Sequence, residues 1–413
     1  MFSLVTSLVL ACGNYLPNPE VLERALDGSP QEIAQLRASG EPGFDELFEH
    51  YRGLGKSDPR WEALIDEVAG QRYAFHSGLY WYTDLEAARS YAAATGRGVL
   101  SLRLLGRLDE DLSCANSRFF RTMLYPDSAI ADALRKHFVL HWEPVREAPV
   151  ITIDFGGGKK LVRTITGNSL HYAMTAAGEV VDVMPGLVAP ATFHEWLETT
   201  GPVARRIGMM PAAERREAIL AHHGATRTAI FAKWAELTKP RALSGPQSPL
   251  LAEPELFDRL AAAYPVTLSN EARELVTRLM PDTTTPALPG YRPSLARRAM
   301  PIAIGKSAIE MPMLDRLEPV LANLGRDDLK NRFELRLRVL ALASQVEETA
   351  ALTARIYEEV FATPLDDPWM GLAPSDVFTG LPAPIERVGS AIAVGPARSR
   401  DERVEDAAPA HGN

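Results

Sequence analysis

The middle of the chain alternates between apolar runs at strand spacing and amphipathic stretches at helical spacing. Val99–Leu105 and Phe138–Trp142 carry apolar residues on both faces, which is typical of central strands covered by helices. Leu85–Thr95 has helical spacing; Asp84 before it suits a helix N-cap, and Gly96 after it suits a helix end. These signals predict that strands and helices alternate in this part of the chain.

Further strands are predicted downstream. Residues 150–166 predict a hairpin with a three-glycine turn, and residues 170–186 predict two strands joined by an Ala-Gly turn. A helix is predicted over Pro190–Thr199. Strand, helix, strand, helix, strand and then a two-stranded hairpin indicate an α/β fold with a mixed sheet flanked by helices.

Helical spacing dominates on both sides of the α/β part. Separate helices are predicted over Glu214–His223 and Thr226–Thr238, while small and charged residues from Glu386 onward predict disorder. The sequence therefore predicts four parts: a helical N-terminal segment at 1–75, the α/β domain at 76–201, a mainly α-helical C-terminal domain at 202–385, and a disordered tail at 386–413.

Composition narrows the functional classes. The chain has 413 residues, a formal net charge of −9 and two cysteines. The acidic balance argues against a nucleic-acid binder, and no run approaches the roughly 20 apolar residues of a membrane span. Two cysteines are too few for a disulfide framework or a cysteine-rich zinc site, although they could pair with each other. We expect no nucleic-acid partner, no integral membrane span and no cofactor.

The first residues form an apolar run that ends in Ala11-Cys12 and loosely resembles a bacterial lipoprotein cleavage box. No lysine or arginine precedes the run, which argues against a signal segment. A buried first helix or a mis-set start codon explains the run more simply. The expected location is therefore cytoplasmic, and the alternative is an exported lipoprotein anchored through Cys12.

Cys114 is the candidate reactive residue. It stands where a helix predicted over Ala115–Leu124 begins, and the free N–H groups and positive dipole end of a helix N-terminus lower a thiol pKa. The tetrapeptide CANS is a C-x-x-S pattern in which the Ser117 hydroxyl could hydrogen-bond the thiolate. Arg118 and Arg121, inside the same helix, could favour the anion further.

Three histidines lie on or beside predicted strands: His137, His141 and His171. No cysteine or carboxylate spacing supports a metal site around them. We expect core histidines and no metal.

The features that carry a family resemblance are Asp84 with the helix after it, Val99–Leu105, Cys114 and His137-Phe138-Val139. Through them the stretch from Tyr80 to Leu197 resembles the thioredoxin-like superfamily. The resemblance implies a thioredoxin-like mixed sheet flanked by helices. It also implies thiol chemistry at Cys114.

Three features depart from the family pattern. Ser113 precedes the cysteine where the family normally has tryptophan, and Ser117 replaces the second cysteine. Gly167-Asn168-Ser169 stands where the family has a proline that shapes the substrate groove. A single thiol can form mixed disulfides, but it cannot release its partner by internal attack.

Two functions follow from these patterns. The first is a monothiol oxidoreductase or redox sensor that acts through Cys114 and Ser117 on a protein thiol or disulfide partner. The second is a non-catalytic binding or scaffold protein that has lost thioredoxin chemistry, with a partner surface on the helical domain.

Overall fold

The computed structural model describes residues 18–164, 167–239, 248–279, 317–368, 385–388 and 391–394. The chain divides into two units, Met1–Thr353 and Ala354–Asn413. Cys12 lies outside the described residues.

The N-terminal segment is helical over its described part, as predicted. Its helices are α1 (Pro19–Leu26), α2 (Pro30–Ala38), α3 (Gly40–Gly53), α4 (Pro59–Ala69) and the short α5 (Ala74–Ser77). Asn18 and Asp58 cap α1 and α4 by accepting backbone N–H groups, each just before a proline at the first turn. Phe44, Leu47 and Ile65 are fully or almost fully buried in the core between these helices.

The prediction of a mixed α/β protein is confirmed. The strands of the first unit are β1 (Trp81–Tyr82), β2 (Gly98–Leu105), β3 (Phe138–Arg146), β4 (Val150–Asp154), β5 (Lys160–Thr164), β6 (Ser169–Met174) and β7 (Val180–Pro185). Five of them form one sheet in the order β1-β3-β2-β6-β7. β1 and β2 run parallel to β3, while β6 runs antiparallel to β2 and to β7. All eight residues of β2 are buried, as expected for a central strand.

Four helices accompany the sheet strands in the chain: α6 (Leu85–Thr95), α7 (Ala115–Phe119), α8 (Ser128–His137) and α9 (Pro190–Gly208). α7 continues directly into a π-helical turn at Phe120–Leu124. Asp84 caps α6 through the Ala87 N–H, and Gly96 ends it in the left-handed conformation, as predicted. α9 extends nine residues beyond the predicted Thr199, because Ala204 and Ile207 continue its buried face.

β4 and β5 form a separate two-stranded hairpin, as predicted, with Gly156, Gly157 and Gly158 in its turn. All three glycines have positive φ, which a residue with a side chain adopts at a cost.

The described residues of the C-terminal part of the first unit are mainly helical. Its helices are α10 (Ala212–Thr238), α11 (Pro254–Ala263), α12 (Asn270–Leu279), α13 (Leu317–Leu329), α14 (Arg336–Ala343) and α15 (Thr349–Glu359), and α15 runs across the boundary between the two units. A 3-10 turn at Pro249–Leu251 precedes α11, and a π-helical turn at Lys330–Leu335 joins α13 to α14.

The predicted break between two helices near Gly224 is wrong, because α10 is continuous there. One glycine costs a helix only about 1 kcal/mol, and the buried Ile219, Ile230 and Trp234 on either side outweigh that cost by packing. Ile219 joins the core around the sheet, whereas Ile230 and Trp234 belong to a second core with Phe257 and others.

The second unit contains a hairpin of β8 (Ile385–Val388) and β9 (Ala391–Val394). The prediction of disorder from Glu386 onward is therefore wrong over these strands. The overall composition of the tail hides a short run of β-branched residues, such as Val388 and Ile392, which favour strands. The rest of the predicted tail lies outside the described residues. The predicted boundaries at 75, 201 and 385 stay predictions.

No described helix combines the length and apolar character that a membrane crossing requires.

Candidate functional site

Cys114 is the N-cap of α7, at the helix start that the sequence predicts. Its Sγ accepts the Ser117 N–H at 3.4 Å, and its own N–H donates to the Leu105 carbonyl at 3.3 Å. The cysteine thus takes the place that serine or aspartate usually has at a helix start. Its side chain is 0% exposed.

The end of the β4–β5 hairpin and the start of β6 lie over this helix start. Thr164 Oγ1 donates to the Ser113 carbonyl at 2.7 Å, and Arg118 Nη1 donates to the same carbonyl at 2.8 Å. Asn116 Nδ2 donates to Ser169 Oγ at 2.8 Å. A Cβ atom at Gly167 would lie only 2.8 Å from Asn116 Oδ1, so this segment passes very close to the first turn of α7.

Burial raises the pKa of the Cys114 thiol above its ordinary value. The Ser117 N–H and the positive charge of Arg118 lower the pKa, but their combined effect is smaller than that of burial. The thiol is therefore neutral at neutral pH. A neutral thiol is a poor nucleophile.

Ser117 contacts Cys114 through its backbone N–H. Its side chain is fully buried, and its Oγ has no hydrogen-bond partner among the described residues. The structure therefore brings the two predicted site residues together, but not through the predicted hydroxyl contact.

Arg121 holds the loop between β2 and Cys114. Its guanidinium is buried and donates to the carbonyls of Leu108, Glu110 and Asp111. Burial lowers the pKa of this arginine to about 10. Because its hydrogen bonds go to three carbonyls of this loop, Arg121 fixes the conformation of the chain just before Cys114.

The predicted core histidines make polar pairs inside the molecule. His141 Nδ1 lies 2.9 Å from Ser101 Oγ, and His171 Nε2 lies 2.8 Å from the Tyr125 hydroxyl. The described residues contain no group of three or more histidine, cysteine, aspartate or glutamate side chains placed to hold a metal ion.

The buried His171 predicts acid sensitivity. Burial lowers its pKa to about 3, well below the roughly 6.5 of an unfolded histidine. Between these values the unfolded chain binds more protons than the folded one, so stability falls as pH falls, by about 1.4 kcal/mol per pH unit. Urea unfolding at pH 6, 5 and 4 should show a steeper total slope, because burial also lowers the pKa of His141 to about 3, and His171→Gln should reduce the slope by about 1.4 kcal/mol per pH unit.

His50, which is exposed, provides the control for this measurement. If the free energy of unfolding changed equally steeply with pH in the wild-type chain and in His171→Gln, the acid sensitivity would not come from His171.

The structure also contains a polar cavity that the sequence does not predict. It has a volume of about 250 Å³ and lies between β7, α9, α10 and the helix that begins with the π-helical turn at Lys330. We refer to it as the Asp182 cavity; its polar lining includes Asp182, Thr192, His222, Lys233, Arg332 and Arg336.

Asp182 is the most heavily bonded residue of this cavity and is 0% exposed. It accepts from Arg336 Nη2 at 2.9 and 3.0 Å, from His222 Nε2 at 2.8 Å and from the Trp196 indole N–H at 3.2 Å. Burial alone would raise its pKa, but the charge of Arg336 and the contact with His222 outweigh burial and hold the pKa well below its usual range. Asp182 is therefore a buried, charged carboxylate.

The same residue closes the outer edge of the sheet. β7 is an edge strand, and Asp182 Oδ1 accepts the Val183 N–H at 2.7 Å. His223 Nε2 donates to the Val181 carbonyl at 3.0 Å. These contacts occupy polar backbone groups that an edge strand would otherwise offer to another chain.

Sequence reasoning missed the Asp182 cavity because its residues are far apart along the chain. Asp182, His222 and Arg336 are brought together only by tertiary packing. The one local signal is a carboxylate inside the apolar run VVDVM, since a charge in a buried strand needs a partner.

Comparisons of the chain with models of protein families, with curated protein sequences and with solved structures give no match.

Proposed function

We propose that residues 80–197 are a thioredoxin-like domain that no longer performs thiol–disulfide exchange, within a non-catalytic binding or scaffold protein. The family resemblance implies a mixed sheet flanked by helices. The five-stranded mixed sheet, with α6, α7, α8 and α9 between and after its strands, supports this assignment.

The burial of Cys114 carries the proposal. Thiol–disulfide exchange begins when a thiolate attacks a disulfide sulfur, so the sulfur must be both ionised and accessible. Cys114 is 0% exposed, and burial raises its pKa. Ser113 and Ser117 also replace residues that the resembled family uses for this chemistry.

The Asp182 cavity supports the binding half of the proposal. Polar and charged side chains converge there on a space of about 250 Å³, next to apolar walls from Trp196, Ile230 and Phe333. Pockets with this combination are the usual places where proteins hold small molecules. Its walls come from both the sheet part and the C-terminal helices, which gives the helices a task beyond covering the sheet.

A second candidate is the monothiol oxidoreductase or redox sensor with a protein thiol or disulfide as partner. It is favoured by the Ser117 N–H at Cys114 Sγ and by the charge of Arg118, both of which stabilise a thiolate. This activity requires the structure to open around Cys114, which is 0% exposed.

For the compartment we propose the cytoplasm, with membrane anchoring through Cys12 as the alternative.

A glutathione test separates the two candidates. We expect the folded Cys12→Ser chain, incubated with oxidised glutathione at pH 7.5, to gain no mixed disulfide at Cys114, because its sulfur is covered. Mass spectrometry measures the adduct, and the same chain unfolded in urea is the positive control. Stoichiometric modification of the folded chain would favour the monothiol oxidoreductase and contradict the non-catalytic proposal.

A further inference from the structure

Two arginines of one helix face the Asp182 cavity, four residues apart. Arg332 Nε pairs with Asp328 Oδ2 at 3.1 Å, and Arg332 Nη1 lies 3.4 Å from Thr192 Oγ1. Arg336 uses Nη2 for both carboxylate oxygens of Asp182. Both arginine side chains line the cavity and stay 20% (Arg332) and 15% (Arg336) exposed, so both can contact an oxygen ligand there.

The charges around the cavity determine the ligand charge that fits. The three carboxylates Asp182, Glu195 and Asp328 are matched by the three cations Lys233, Arg332 and Arg336, each in an ion pair. The balance therefore suits a singly charged anion better than a doubly charged one.

The walls and the volume of the cavity determine how apolar and how large a fitting ligand can be. Met184, Trp196, Ile230 and Phe333 supply apolar surface beside the arginines. A volume of about 250 Å³ equals that of roughly eight liquid water molecules, enough for a ligand of about ten non-hydrogen atoms.

We propose that the Asp182 cavity binds a small monocarboxylate with an apolar body. The carboxylate lies against Arg332 and Arg336, whose planar forks match a carboxylate, and the body lies against the apolar walls. This inference rests on the proposed binding function and names the ligand class for it.

The lining of the cavity includes an exposed ion pair. Lys233 Nζ lies 2.7 and 2.9 Å from the carboxylate oxygens of Glu195, and the two side chains are 52% and 58% exposed. An exposed pair of this kind contributes little to stability, so it can separate when a ligand enters.

Isothermal titration of the full chain with benzoate, benzamide and inorganic phosphate tests the proposal. Benzoate should bind with a Kd of about 0.1–1 mM, as expected for a ligand of this size. Benzamide has the same shape without the charge and should bind at least about tenfold more weakly, because charged groups make the stronger hydrogen bonds. No benzoate binding, equal binding of benzamide, or binding of phosphate alone would each overturn the proposal.

Two matched variants locate the bound carboxylate. Arg332→Lys keeps a cation for Asp328 but removes the planar fork, and it should weaken benzoate binding about tenfold. Arg338→Lys is the control, because Arg338 also pairs with a residue one turn earlier, Glu334, and does not line the cavity. Equal effects of the two variants would place the binding elsewhere. These results are independent of Cys114, so a failure here leaves the thiol half of the proposed function untouched.

Discussion

Replacing Arg336 with methionine should lower the free energy of unfolding by about 3–5 kcal/mol. Methionine keeps much of the packing of the arginine stem but leaves Asp182 fully buried without its main counter-charge. A buried charge that loses its partner is among the most destabilising changes in a protein. Urea unfolding followed by circular dichroism at pH 7 measures the loss.

Arg338→Met is the control for this prediction. Arg338 lies two residues further along α14; its side chain is 45% exposed, and its partner Glu334 is 3.8 Å away. Loss of such a pair should cost less than about 1 kcal/mol. Asp182→Asn combined with Arg336→Met removes both charges and should cost less than Arg336→Met alone. Similar losses for Arg336→Met and Arg338→Met would contradict the role of the buried pair.

Alkylation of Cys114 by iodoacetamide should be at least about 1,000-fold slower in the folded chain than in the urea-unfolded chain. The sulfur is 0% exposed, so reagent reaches it only when the structure opens. An opening that costs about 4 kcal/mol reduces the rate by that factor. The Cys12→Ser chain makes Cys114 the single reporter, and mass spectrometry follows its modification.

The sheet and its nearest helices could be predicted because their signals are local. β2 is a short apolar run, and a central strand buried on both faces requires such a run. α6 lies between Asp84 and Gly96, whose side-chain and backbone chemistry define the two helix ends within twelve residues. The position of Cys114 before α7 follows from the same kind of local reasoning.

Burial of Cys114 could not be predicted, because residues that bond to its two neighbours at the helix start are distant in sequence. Thr164 and Ser169 lie about fifty positions downstream, beyond an inserted hairpin. The helix N-terminus that lowers a thiol pKa was recognised, while the burial that raises it has no local signal. The role of Arg121 also has no local signal, because the positions of its carbonyl acceptors depend on how the loop after β2 folds back.

The Asp182 cavity is even harder to predict from the sequence than the burial of Cys114. β7 provides the aspartate, α10 the histidine and α14 the arginine, from three separate parts of the chain. Nothing in the spacing of these residues predicts that they meet. An aspartate in an apolar strand shows only that some partner must exist.

The pH profile of Cys114 alkylation in the folded Cys12→Ser chain tests most directly whether this cysteine is a buried, neutral thiol. Because the folded thiol is neutral and the opened form ionises like a free cysteine, we expect a slow rate that keeps rising up to about pH 8.5, the ordinary pKa of a free cysteine. A rapid reaction that reaches its plateau below about pH 7 would mean an exposed, stabilised thiolate at the start of α7. That result would contradict a non-catalytic Cys114 and restore the monothiol oxidoreductase as the better account of this protein.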